Sequence, residues 1–138
     1  MSLDRNRPEV GYRLGRLFAT LEKVQGDANP NLDATIRERY YGAASTSPVA
    51  VFSQLLRLKN HHLAKLKTPL RIFREQEIGE ILGGISAFPS HLSLEEQALF
   101  ALGYYHQRQD FYTSKTATDE AKPATDETVD CGESSKNA

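Results

Sequence analysis

Residues 10–24 read VGYRLGRLFATLEKV. Val10, Leu14, Leu17, Phe18, Leu21 and Val24 recur at steps of three and four, the spacing of one face of an α-helix. Pro8 stands just ahead, where a missing N–H costs nothing. Gly26 suits the C-terminal end. The stretch predicts a helix over about 8–25. Gly11 and Gly15 lie four apart on one flank, which would permit close packing of a second helix.

The same period continues along the chain. GDANPN, residues 26–31, is a turn. A short helix over about 31–42 follows, with Leu32, Ile36 and Tyr40 in register. GAASTSP, residues 42–48, breaks the chain, and Ser47–Pro48 reads as an N-cap followed by proline at the first helical position. A third helix over about 48–67 carries Phe52, Leu55, Leu56, Leu63 and Leu66 on one face. Pro69 opens a fourth, about 69–85, with Leu70, Ile78, Ile81, Leu82 and Ile85. AFPSHLS, residues 87–93, is a loop. Ser93 with Glu96 makes a capping box for a last helix over about 94–113. On that helix Leu94, Ala98, Ala101, Leu102 and Tyr105 share one face, and Phe100, Tyr104 and Phe111 another. A helix apolar on two sides is usually the buried one, so it is expected at the centre. No stretch alternates long enough to predict a strand. The fold class expected is all-α, a compact bundle of about five helices over 1–115 with a disordered acidic C-terminal tail over 116–138. The tail has no aromatic residue and too little apolar surface to offset the entropy of ordering.

Totals place the chain among ordinary soluble domains. Its 138 residues are 39% hydrophobic and 25% charged, enough for one real core. No apolar run approaches the ~20 residues of a membrane span, and MSLDRNRPEV lacks the apolar core of a secretory signal. One cysteine, Cys131, excludes an internal disulfide framework and a cysteine-rich zinc site. A reducing, cytoplasmic location is expected.

The net charge of −1 hides an uneven layout. Residues 37–74 hold Arg37, Arg39, Arg57, Lys59, Lys65, Lys67, Arg71 and Arg74 against Glu38 alone. The tail has Lys122 and Lys136 against six carboxylates. A basic middle points to a polyanionic partner; a solvated surface is the plainer reading. Arg57, His61 and Lys65 recur at four-residue steps opposite the leucine stripe, with Gln54 beside them. Such a ridge tracks phosphates without reading bases. Arg37 and Tyr41 share a face suited to an Arg–aromatic contact or to base stacking. Arg16 and Lys23 line up with Tyr12 away from the core stripe. Arg39 and Arg71 complete the candidate set. Lys59 falls inside the apolar stripe, where it snorkels, pairs with an acid such as Glu77, or marks a docking face; the pairing is slightly favoured.

Catalytic chemistry finds no foothold. His61 and His62 are neighbours about 100° apart on a helix, a poor arrangement for one metal. Ser90, His91 and Ser93 share a loop without a nucleophile elbow. His106 reads as a core histidine with a hydrogen bond. Cys131 lies in the tail. No glycine-rich loop follows a strand. No metal or cofactor, and no enzyme activity, is expected.

Four blocks carry a resemblance. YRLGRLFATLEKVQ (12–25), ATIRERYYGAAS (34–45), VFSQLLRLKNHHLAKL (51–66) and LSLEEQALFALGYYHQRQDFY (92–112) resemble the C-terminal region of the large subunit of type I-C CRISPR Cascade complexes. The match covers about 8–113. In that system the region is also made separately, by internal translation, as the small subunit, and Met1 just ahead of the first block fits that product. The resemblance implies a non-catalytic helical subunit, present in several copies along the ribonucleoprotein. Its partners would be the backbone and large subunits, the crRNA, further copies of itself, the target DNA and the displaced non-target strand, with no membrane partner. It would help hold the R-loop, while base pairing reads sequence. The alternative is a protein–protein scaffold whose basic face docks acidic protein.

Overall fold

A computed structural model describes residues 3–31 and 35–121, with side chains described to residue 113. Among the described residues the chain is all-α, with five helices and no strand: α1 Val10–Ala28, α2 Ile36–Thr46, α3 Pro48–Leu63, α4 Thr68–Gly83 and α5 Leu94–Ala121. The expected helix near 94–113 thus continues to Ala121. Residues 122–138 of the acidic tail, with Cys131, lie outside the described residues, as does Leu32. The chain divides into a unit of residues 1–108 and a second of residues 109–138, whose described part is the last stretch of α5.

The central helix is α1. Its side chains are buried on nearly every side, from Gly11 to Leu21 with Arg13 half-exposed. It packs on α2, α3 and α4. Leu14, Leu17, Phe18, Leu21 and Val24 supply the core stripe predicted for it. Phe18 sits among four rings, with centroids 5.6 Å from Tyr41, 6.4 Å from Phe52, 6.0 Å from Phe100 and 5.8 Å from Tyr104. The edge-to-face pairs among these, with Tyr41, Phe52 and Tyr104, add about 0.5–1.5 kcal/mol each beyond area burial.

The expectation that α5 is central is corrected. Its buried face is Phe100, Gly103, Tyr104 and Gln107, while Leu94, Ala98, Leu102 and Tyr105 are exposed. Glycine explains why the inner face sits so close. A Cβ on Gly15 would overlap the Phe100 carbonyl, one on Gly11 the Glu96 carbonyl, and one on Gly103 the Tyr12 carbonyl. The α1–α5 seam is therefore backbone against backbone, and these three positions admit no larger side chain without movement.

Caps join the helices. Glu96 N donates to Ser93 Oγ at 3.1 Å, the forward half of the expected box. Glu96 Oε1 does not turn back to Ser93; it accepts from Gly11 N at 2.7 Å. The carboxylate thereby satisfies a free donor in the first turn of α1 and opposes its positive end. Ser47 precedes Pro48 at the start of α3 but makes no side-chain cap bond. The 87–93 loop is pinned at both sides: Val49 N donates to Pro89 O at 3.1 Å and Leu92 N to Thr46 O at 3.2 Å. Phe88 stacks flat on Phe52, 5.5 Å between centroids.

Candidate nucleic-acid interface

Helix α3 carries no acidic residue. Its inner face is Val51, Phe52, Leu55 and Leu63, all buried. That burial fixes the rotation of the helix and turns Arg57 and His61 outward, where both are exposed. The helix ends at Leu63, four residues short of expectation. Lys65 N and Leu66 N instead reach back three residues, to His62 O and Leu63 O, each at 3.0 Å. Lys65 thus lies in the tight turn after α3. It is exposed, with Nζ donating to Asn29 Oδ1 at 3.3 Å.

The turn also involves the second histidine. Asn29 Nδ2 lies 3.4 Å from His62 Nδ1, so the Asn29 amide joins the end of α1 to both Lys65 and His62. Burial, then the charges of His61 and Lys65, push His62 below the ordinary histidine value. The permanent positive charges here are those of Arg57, Lys65 and Lys67. Arg57 makes no ion pair among the described residues. Arg71 is half-buried on α4.

The candidate residues on the first two helices fare differently. Arg16 is 1% exposed. Its Nε donates to Gln107 Oε1 at 3.1 Å and its Nη1 to Arg5 O at 3.4 Å. Burial, then Arg5, lowers its pKa. The expectation of a surface Arg16 is corrected, because α5 and the N-terminal segment cover the flank of α1 that a helical wheel leaves open. Tyr12 is buried with it, its OH 2.8 Å from His106 Nδ1. His106 is thus the hydrogen-bonded histidine expected. Lys23 pairs with Asp27 at 3.3 Å, one turn on, so its charge is locally matched.

On α2, Arg39 is exposed beside the Tyr40 ring, 5.8 Å from its centroid. Gln54 Nε2 donates to Tyr40 OH at 3.2 Å, which ties α2 to α3 near the ridge. Arg37 lies 5.9 Å from the Tyr41 centroid, the Arg–aromatic contact expected. Tyr41 is half-buried, however. Its ring packs against the core, 5.3 Å from Phe100 and 5.2 Å from Tyr104, and burial raises its pKa.

Two more basic residues of the 37–74 window are accounted for. Arg74 is buried and pairs with Glu77 at 2.7 Å and Asp27 at 3.4 Å. Lys59 does not pair with Glu77, which Arg74 occupies. Its Nζ donates to Asn60 Oδ1 at 3.1 Å, and its stem edges a cleft of about 250 Å³ with Leu63, Glu75 and Ile78. The wide basic window thus resolves into a narrower exposed group: Arg57, His61, Lys65 and Lys67, with Arg39 on α2.

Such a group can hold phosphates by charge. Among the described residues no three of His, Cys, Asp and Glu gather in the manner of a metal site, and no helix is long and apolar enough to cross a membrane. Ser93 Oγ, in the loop with Ser90 and His91, is engaged as the α5 cap. A family model described as CRISPR-associated protein (Cas_Csd1) matches residues 1–112. A comparison with curated proteins finds no match.

Proposed function

The chain belongs to the Cas_Csd1 family of CRISPR-associated proteins, and on that premise we propose that it is a non-catalytic small subunit of a type I-C Cascade. In this reading it takes part in a CRISPR ribonucleoprotein with backbone and large subunits, crRNA and further copies of itself. It grips the backbone of the target and displaced strands and steadies the R-loop. The observation that carries the reading is the absence of acid from α3 and the turn after it, where Arg57, His61, Lys65 and Lys67 are each exposed. A backbone grip needs charge without base readout, and these residues offer that.

Reconstitution with the Arg57→Glu, Lys65→Glu double variant tests it. The account expects the variant to enter the complex at the wild-type level and to weaken R-loop formation. A variant that fails to enter the complex, while folded by circular dichroism, would instead favour a scaffold whose basic face docks acidic protein.

A further inference from the structure

Over residues 94–105 the outward face of α5 is apolar and, among the described residues, exposed. Leu94 is 83% exposed, Leu102 37% and Tyr105 46%, and Ala98 between them is exposed. Positions 94, 98, 102 and 105 lie on one helical stripe, about 16 Å long at the helical rise. At the Tyr105 end stands Arg37 of α2. Its Nη2 donates to Tyr105 OH at 2.6 Å, and its guanidinium lies 5.6 Å from the Tyr104 centroid and 5.7 Å from that of Tyr105. No carboxylate pairs with Arg37 among the described residues. At the Leu94 end, Glu95 is exposed.

We propose that this stripe, with Arg37, is the docking surface for an amphipathic helix of another protein subunit, one that brings a carboxylate to Arg37. The assignment rests on the subunit role proposed above. Leucine and alanine argue for protein over nucleic acid, since phosphates keep their water and bases stack on aromatic rings. An acid-less arginine held by tyrosines fits the interface anchors that Arg and Tyr commonly provide. The stripe is polarised, so the partner helix carries its acid at the Tyr105 end and a basic residue near Glu95. A second copy of this chain would offer the same narrow stripe, far short of the 20 or so residues a side of a stable dimer. One short helix, held by the rest of a larger subunit, suits it better. Arg37 then belongs to protein docking and not to the nucleic-acid ridge.

The test places a photo-crosslinking residue at position 102 of the full chain, co-expressed with the other subunits of its complex, and at exposed Gln76 as the control. The expected product from position 102 is a crosslink to one protein helix containing Asp or Glu. Leu102→Asp then lowers retention in the complex about tenfold and leaves single-stranded DNA binding by the isolated, folded chain unchanged. Arg37→Glu also lowers retention, and reversing the partner's acid to Lys restores it. Crosslinks to nucleic acid or to a second copy overturn the assignment, as does no crosslink from a copurifying chain. A wild-type chain that does not copurify overturns the subunit role itself, and the docking surface with it.

Discussion

Arg16 and Arg57 carry the same group to opposite ends. Arg57 projects from a helix whose other side is packed; Arg16 projects from a helix packed all round, and ends 1% exposed against Gln107. Arg16→Met should therefore leave DNA binding at the wild-type level. Its stability should stay within about 1–2 kcal/mol, since lost hydrogen bonds are offset by removing a buried charge. Weaker DNA binding by the folded variant would show that Arg16 reaches the surface. His62 gives a second prediction. Burial, then His61 and Lys65, set its folded pKa below the ordinary 6.5. The unfolded chain therefore takes up the proton first as pH falls. The stability this group contributes is complete above about pH 6.5 and is lost as pH drops toward the folded value. NMR titration should place the His62 midpoint below that of a histidine in the denatured chain, and a midpoint above it would reverse the sign.

Glycine spacing governs the elements. Gly11 and Gly15 were legible as a flank open to close packing, and α5 is what packs there. Gly15→Ala should cost at least 2 kcal/mol, on the order of a forced overpacking, because its Cβ would meet the Phe100 carbonyl. Gly79, inside α4, has nothing within 4 Å of an added Cβ. Gly79→Ala should stabilise by about 0.5–1 kcal/mol. Thermal melts of the pair decide it; equal shifts would mean that the α1–α5 seam is looser than described. Helix existence and order were readable because each core stripe repeats at the helical period. Which helix is central was not. Period counts apolar faces, and α5 has two, but a wheel cannot say that one of them stays uncovered. Nor does it show that Glu96, read as half of a local capping box, caps α1 instead. That bond joins residues 85 apart, and local pattern holds no record of it.

Among the described residues, an apolar and a basic surface face outward. Leu94, Ala98, Leu102 and Tyr105 make an apolar stripe on α5, and Arg57, His61, Lys65 and Lys67 make a basic ridge on α3 and its turn. The charge bias of residues 37–74 was legible from composition; four-residue spacing placed Arg57 and His61 on the outward side of α3, but not Lys65, which lies in the turn after it. The rest of the candidate set was less so: burial removes Arg16 through a contact 91 residues away in sequence, the Tyr41 ring packs against Phe100 and Tyr104, and an ion pair one turn on matches Lys23. The proposed role of the ridge is to grip phosphates. The most direct measurement is fluorescence anisotropy of single-stranded DNA titrated with the full chain across a salt series, beside the folded Arg57→Glu, Lys65→Glu variant. Each phosphate contact contributes a slope of about −0.7 in log K against log salt. The account predicts salt-sensitive binding whose slope shrinks by about 1.4 in the variant, with weaker affinity at every salt. An unchanged slope and affinity would contradict it.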